Sequence, residues 1–314
     1  MWKSIDWSGL IAIIAWIAQV TDAALPTRWE NWWTYDGIAG PAFWGMYTLE
    51  YSLCAKGKHQ SPVNIDPRRL VFDPNLEKLH ITKQTGPWML KNTGHDITVD
   101  PLGRDLVTIG GGPLSYNYSV AHIKLHFGAL DTIGSEHTVN GTPFPAEMHF
   151  IGYNRDLFEN FTRARTSPNG IVILSVLVQI HQRGNKEFQV ITKELRNIPL
   201  KGNQTKLHAL EIQKIIPQTE FYMTYHGSFT QPGCEEVVTW VLLNKPLYFS
   251  REQMNALRKL TKIQDPGQIL MENNFRSPLP LYQRTIRTNI NMEDPKCVVT
   301  KTLEYRLNNN FKPP

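Results

Sequence analysis

The stretch that decides the fold runs from His122 to Tyr153 and reads HIKLHFGALDTIGSEHTVNGTPFPAEMHFIGY. Its first six residues alternate polar and apolar side chains, which is the period of a half-buried strand. His122, Lys124 and His126 therefore share one face of that strand. The Cα atoms of His122 and His126 are roughly 13 Å apart at strand spacing, so both side chains cannot easily reach one metal ion, and a satisfied polar histidine is expected at His122.

The second half of the stretch alternates in the same way over residues 146–151 and places Glu147 and His149 on one side. A connector rich in glycine and proline joins the two predicted strands. Strands joined in this manner usually lie side by side. We therefore expect His126 and His149 to meet across the sheet.

Three short motifs in this stretch resemble the zinc site of the α-type carbonic anhydrases: His126–Gly128, Gly134–His137 and Ala146–His149. Active members carry His-x-His on the first strand and a third histidine on the second. The resemblance implies that His126 and His149 match the second and third ligands, and Lys124 stands where the first ligand belongs.

A catalytic zinc ion is held by three protein ligands, with a water molecule in the fourth position. Lys124 removes one donor and brings an ammonium group toward the place of the cation, which repels it. We expect that Lys124 replaces the charge of the metal and pairs with Glu136 or Glu147, which orient the ligands in the family. We therefore expect the protein to hold no cofactor.

Other motifs resemble the same family. Asn92–His95 matches the stretch with the proton-shuttle histidine, so His95 corresponds to that residue. In Tyr225–Thr230 the last residue, Thr230, matches the threonine that orients the zinc-bound hydroxide, with Glu136 as its partner. Gln231 replaces a second small hydroxyl residue. The family's carbon dioxide pocket is implied to be narrowed by three bulkier side chains, Ile151, Ile173 and Phe229.

The resemblance covers about residues 30–285 of the 314. It implies the α-carbonic anhydrase fold, a mainly β structure with a central, twisted, mostly antiparallel sheet of about ten strands and few short helices. We expect a signal peptide at 1–23, the carbonic anhydrase-like domain at 24–292 and a basic tail at 293–314. The hydrophobic content of 41% is typical of a globular chain.

Residues 1–23 have the pattern of a secretory signal: Lys3, then an apolar core over 10–18 that is too short for a comfortable membrane span. Because no other apolar run approaches that length, we expect a secreted, extracellular protein without membrane insertion. Four glycosylation sequons fit that route; their asparagines are Asn117, Asn140, Asn160 and Asn203.

The chain has three cysteines, an odd number. In extracellular members of the family a disulfide joins the regions of Cys54 and Cys234, so the resemblance implies that pair here. Cys297 is left over. It is either a cysteine for a disulfide with another protein or a partly buried thiol without a role.

The segment from Arg284 to Asn291 is similar to the secreted carbonic anhydrase-related proteins X and XI, ligands of neurexin-type synaptic receptors. That resemblance implies a catalytically silent glycoprotein that binds a neurexin-like cell-surface receptor, with Cys297 as a possible disulfide link. The alternative is a weak zinc-dependent carbon dioxide hydratase using His126 and His149. A third reading is a passive glycoprotein without a partner. Secretion and the absence of a DNA-binding motif argue against nucleic acid.

Overall fold

The computed structural model describes residues 33–82, 85–103, 106–265 and 269–292. The predicted signal peptide at 1–23 and the basic tail at 293–314, which includes Cys297, lie outside the described residues. Within the described residues, no helix has the length and apolar character needed to cross a membrane.

The strands are short at the two ends of the chain and long in the middle. In chain order they are β1 (Asn64–Ile65), β2 (Val71–Phe72), β3 (Leu79–Ile81), β4 (Thr85–Asn92), β5 (Ile97–Pro101), β6 (Thr108–Gly111), β7 (Tyr118–Phe127), β8 (Thr138–Val139), β9 (Ala146–Asn154), β10 (Ile171–Ile180), β11 (Gln204–Glu211), β12 (Tyr222–Gly227), β13 (Val238–Leu243), β14 (Leu247–Phe249) and β15 (Arg287–Thr288).

Thirteen of these strands form one mixed sheet. Its main path has ten strands in the order β11-β4-β5-β7-β9-β10-β13-β12-β15-β2, while β3, β6 and β14 attach at its sides. Most pairs are antiparallel; β10 pairs in parallel with β13 and β14, and β15 with β2. The predicted sheet of about ten mostly antiparallel strands is therefore confirmed.

In the described ranges the α-helices are few and short, as predicted. They are α1 (Trp44–Tyr47), α2 (Leu53–Lys56), α3 (Phe161–Ala164), α4 (Phe188–Glu194), α5 (Ile212–Ile215) and α6 (Arg251–Leu257). A capping box at Ser250 and Gln253 begins α6, because each side chain bonds the backbone of the other residue.

Hydrophobic cores lie on both faces of the sheet. Alternate residues of β10 serve the two cores, Val172 and Leu174 on one face and Ile171 and Ile173 on the other. A strand covered on both faces reads as a continuous apolar run, which explains why β10 has no polar alternation. Strand β9, beside β10, and strand β7, on the other side of β9, keep polar side chains on one face because that face lines a cleft.

The connector between β7 and β9 folds back tightly. A Cβ atom at Gly128 would collide with the carbonyl oxygen of Ile133, so only glycine fits where the chain leaves β7. This close turn brings Glu136 and His137 beneath the cleft, with both side chains fully buried.

Candidate functional site

The register of β7 and β9 builds the floor of the cleft. Lys124 lies opposite His149, and His126 lies opposite Glu147. The imidazole rings of His126 and His149 are 4.5 Å apart between centroids, at an angle of 50°. The two histidines therefore meet across the sheet, as the alternation of the two strands predicts.

Lys124 forms an ion pair with Asp96. The ammonium nitrogen lies 2.9 Å from Asp96 Oδ2, and the side chains keep only 20% and 3% of their exposure. The expected pairing with Glu136 or Glu147 is wrong. Both glutamates instead accept hydrogen bonds from buried backbone N–H groups. Thr98 of β5 lies opposite Lys124, and Asp96, two residues before Thr98, is therefore close enough to reach it.

Gln231 closes this ion pair into a network. Its carbonyl oxygen accepts a hydrogen bond from Lys124, and its amide nitrogen donates to Asp96 Oδ2 at 2.8 Å and to the Tyr35 hydroxyl at 3.0 Å. Thr93 donates to the other oxygen of Asp96 at 2.6 Å. Burial would raise the pKa of Asp96, but Lys124 and these donors hold that pKa well below its usual value, so the carboxylate is charged at neutral pH.

The two histidines keep the orientation of metal ligands. His126 Nδ1 donates to the carbonyl oxygen of Asn274 at 2.7 Å, and His149 Nε2 donates to Glu147 Oε1 at 2.8 Å. In each ring the other nitrogen is thereby the unprotonated one. Burial lowers the pKa of His126 to about 3 and also lowers the pKa of His149, so both rings are neutral at neutral pH.

Glu147 is the centre of the buried network below the histidines. Oε1 accepts hydrogen bonds from His137, His149 and Ser175, and Oε2 accepts from the backbone N–H groups of Glu136 and His137. Burial would raise the pKa of Glu147, but His137 and the hydrogen bonds hold it well below its ordinary value. His137 also lies 2.7 Å from the Tyr225 hydroxyl.

Glu136 and Thr230 are brought together as the resemblance implies. Glu136 Oε1 accepts a hydrogen bond from the Arg276 backbone N–H at 2.9 Å. Its Oε2 has no partner of good hydrogen-bond geometry among the described residues, although the Thr230 hydroxyl lies close enough to lower the pKa of the carboxyl group. Burial and the nearby Glu147 carboxylate outweigh that effect and raise the pKa of Glu136.

The donor set does not fit the catalytic zinc of carbonic anhydrases, which takes three histidine nitrogens. His126, His149 and Glu136 offer atoms within 4.8 Å of one another, but the position of the first histidine holds an ammonium group already paired with Asp96. A cation in this place would face the like charge of Lys124 at close range.

His95, the position of the proton shuttle, is held still. Its ring stacks on Trp33 with centroids 4.0 Å apart and planes 9° apart. Burial lowers its pKa to about 4. A shuttle works best with a pKa near the operating pH, and a pKa of about 4 lies well below neutral pH.

The cleft above this floor has a volume of about 320 Å³. Ile151 and Phe229 line it, whereas Ile173 is buried in the core opposite Ile151 on β10. His122 also lines the cleft, and its Nδ1 lies 2.7 Å from Asp100, so it is a satisfied polar residue. Two of the three bulky side chains that we expect to narrow the cleft therefore line it.

The Cys54–Cys234 disulfide is confirmed, with Cα atoms 5.1 Å apart and a sequence separation of 180. Arg276 supports it by donating to the carbonyl oxygen of Cys54 at 3.0 Å. Three sequon asparagines are exposed: Asn117, Asn140 and Asn160. The fourth, Asn203, is partly exposed.

Sequence reasoning missed Asp96 and His137 as members of the site. Asp96 follows His95 directly and precedes a predicted strand, and a cation in a poorly solvated cleft requires a carboxylate nearby. That requirement was the available signal for Asp96. His137 stands in the Gly134–His137 motif, but its contact with Glu147 depends on the closed turn and could not be predicted from the motif alone.

Two comparisons with known proteins agree with this geometry. The family model described as eukaryotic-type carbonic anhydrase matches residues 39–290. A relative from Caenorhabditis elegans, "Putative carbonic anhydrase-like protein 2", is 38% identical over 277 residues, which cover 85% of this chain and 82% of the relative. With the sheet, the paired histidines and the Glu136–Thr230 contact in place, the chain belongs to the eukaryotic-type carbonic anhydrase family.

Proposed function

We propose that this protein is a catalytically silent carbonic anhydrase-related protein that works by binding another protein. The observation that carries the proposal is the Lys124–Asp96 ion pair at 2.9 Å, in the place of the first zinc ligand. The pair supplies its own positive and negative charges, so the cleft needs no metal ion for electrostatic balance.

Three further features support the loss of catalysis. Gln231 bonds both members of the pair and thereby holds the Lys124 ammonium group against Asp96. His95 is stacked and weakly basic. Phe229 and Ile151 add volume to the wall of the cleft. Each feature opposes a different requirement of carbon dioxide hydration: a bound metal ion, proton transfer and space for the substrate.

The test is the zinc content of the purified protein by elemental analysis, together with a carbon dioxide hydration assay. We expect no stoichiometric zinc and no catalysed rate. Lys124→His alone leaves Asp96 buried without its cation, so we expect weak zinc binding. Lys124→His combined with Asp96→Ala and Gln231→Thr should bind zinc with higher affinity, yet hydrate slowly while Phe229 and Ile151 remain. One zinc per wild-type chain with a measurable rate would overturn the proposal.

The binding function is supported by the similarity of 284–291 to the secreted carbonic anhydrase-related proteins. We propose an extracellular location and a neurexin-like cell-surface receptor as the partner. The Cys54–Cys234 disulfide suits an oxidising compartment. Cys297 is the remaining cysteine for a covalent link.

The partner is tested by capture of the secreted protein on cells that display a neurexin-type receptor, followed by non-reducing electrophoresis. We expect a reducible complex that Cys297→Ser abolishes. The Cys54→Ser/Cys234→Ser variant, which keeps Cys297, is the matched control and should retain the covalent band if it is secreted. A complex unchanged by Cys297→Ser would refute the covalent role of that cysteine.

The alternative is a weak hydratase. The observation in its favour is that His126 and His149, with a carboxylate oxygen of Glu136, form a buried set of donors within 4.8 Å. The zinc measurement separates the two functions. Metal bound to the wild type and lost in the His126→Ala variant would favour the enzyme.

A further inference from the structure

Among the residues that the structure describes, strand β3 pairs along one edge and leaves the other edge unpaired. The Gly112 N–H donates to the carbonyl oxygen of Lys78, and the Thr82 N–H donates to that of Thr108. Residues 78, 80 and 82 therefore face β6, the only strand that pairs with β3 in the described part of the chain. Because antiparallel strands alternate their hydrogen-bonding directions, the backbone N–H and C=O groups of Leu79 and Ile81 point to the opposite edge.

That open edge borders a groove with a volume of about 380 Å³. β3 forms one wall and residues 213–219 form the other, with Ile216 and Leu243 buried at the base. An unpaired strand edge beside an apolar groove is the arrangement that accepts an added extended segment. The backbone groups provide the pairing, and the groove takes alternate side chains.

The C-terminal end of the described chain lies at the start of this edge. Asn289 Nδ2 donates to the backbone oxygen of Glu220 at 2.8 Å. The Glu220 side chain forms an ion pair with Lys78, the residue immediately before β3. Residues 293–314 thus continue from a point next to β3, and the five residues 293–297 alone span up to roughly 17 Å when extended.

The sequence that follows has the pattern of a half-buried strand. Residues 297–307 read CVVTKTLEYRL, with Leu303, Tyr305 and Leu307 alternating with Glu304 and Arg306. This is period-two alternation, preceded by the β-branched run VVT. In an extended conformation residues 303–307 would present an apolar face and a charged face.

We propose that residues 298–307 bind along the open edge of β3 as an added strand of the same chain. Leu303, Tyr305 and Leu307 fill the groove, and the backbone pairs with Leu79 and Ile81. The pairing is independent of the zinc question. It would fix Cys297 next to the corner formed by Lys78 and Glu220, and so decide where a covalent partner attaches.

The test is amide hydrogen exchange, resolved by residue, on the full chain and on a variant that lacks residues 298–314 but keeps Cys297. We expect the amides of Leu79 and Ile81 to exchange at least about tenfold faster in the truncated chain, because they lose their acceptors. The amide of His80 faces β6 and should stay protected in both proteins, which provides an internal control.

Two matched double variants separate the faces of the segment. Leu303→Asp/Tyr305→Asp should expose Leu79 and Ile81 as truncation does, whereas Glu304→Gln/Arg306→Gln should leave their protection unchanged. Equal exchange at Leu79 and Ile81 in the full and truncated chains would overturn the proposal. So would protection that rises with protein concentration alongside a dimer in light scattering, since the strand would then come from a second copy.

Discussion

Asp96 and Lys124 form a nearly buried ion pair in which each charge offsets the cost of burying the other. Lys124 places a cation among neutral histidines, and Asp96, with 3% exposure, is a carboxylate that burial alone would protonate. Neither side chain is tolerable at this depth without its partner. The pair accounts for how a carbonic anhydrase scaffold accommodates the loss of a ligand.

Removing one member of this pair should be more destabilising than removing both. We expect Lys124→Met to cost about 3 kcal/mol, the lower end for a broken buried pair, because Lys124 keeps 20% exposure. Asp96→Asn/Lys124→Met should cost less than Lys124→Met alone. Urea unfolding of the four proteins of the cycle measures the coupling.

The matched control for that cycle is the exposed pair of Lys78 and Glu220, whose side chains keep 65% and 59% of their exposure. Lys78→Met/Glu220→Gln should show a coupling below about 1 kcal/mol. Equal coupling in the two cycles would mean that burial does not set the strength of the Lys124–Asp96 pair.

The contribution of Asp96 should disappear in acid. Its folded-state pKa lies well below the value of about 3.9 for an unfolded chain. The stabilisation is therefore fully present above that unfolded value and is lost as the pH falls through the folded pKa. The difference in unfolding free energy between wild type and Asp96→Asn should be constant from pH 7 to 5 and shrink below pH 4. A difference that grows in acid would contradict this assignment.

His95 should titrate far below an ordinary histidine. Proton NMR of its ring should give a pKa of about 4, because burial disfavours the charged form. Trp33→Ala opens the stacked face to water and should raise the pKa toward 6.5, whereas Asp96→Asn removes a favourable negative charge and should lower it. A wild-type pKa near 6.5 would restore His95 as a candidate shuttle.

Asn160 combines two roles that substitution can separate. Its side-chain oxygen accepts a hydrogen bond from the Arg163 N–H at the start of α3, and it is also a sequon asparagine. Asn160→Gln should lose one glycan and about 1 kcal/mol of stability, the usual cost of a lost cap. Asn160→Asp and Thr162→Ala should lose the glycan but keep the cap. Mass spectrometry and urea unfolding provide the two readings, and a wild-type protein without sugar at Asn160 would contradict the first.

The sheet was largely predictable because its long strands are specified by patterns within short stretches of sequence. The alternation in 122–127 and 146–151 specifies β7 and β9, and the apolar run at 171–180 coincides with β10. Within residues 155–166 only Phe161–Ala164 is α-helical. The backbone N–H groups of Asp156 and Leu157 bond the Asn154 side chain instead, which makes a turn.

The floor of the site was predictable only in part. The register of two neighbouring strands and the identities of His126 and His149 predict their meeting. The partner of Lys124 depends on how β5 begins beside β7, where a side chain at Asp96 reaches across to its neighbour. That contact follows from the turn at Thr93 and Asp96, which no periodicity reveals.

The same ion pair also limits how this chain can change over generations. Exchanging Lys124 for histidine leaves the buried Asp96 carboxylate without its cation. Exchanging Asp96 first leaves the Lys124 ammonium group with Gln231 alone as its partner. Every single-step path back to a three-histidine site therefore crosses a less stable intermediate. On the function that we propose, the Lys124–Asp96 pair therefore acts as a ratchet that opposes the return of a zinc site, while surface residues outside the pair carry no such constraint.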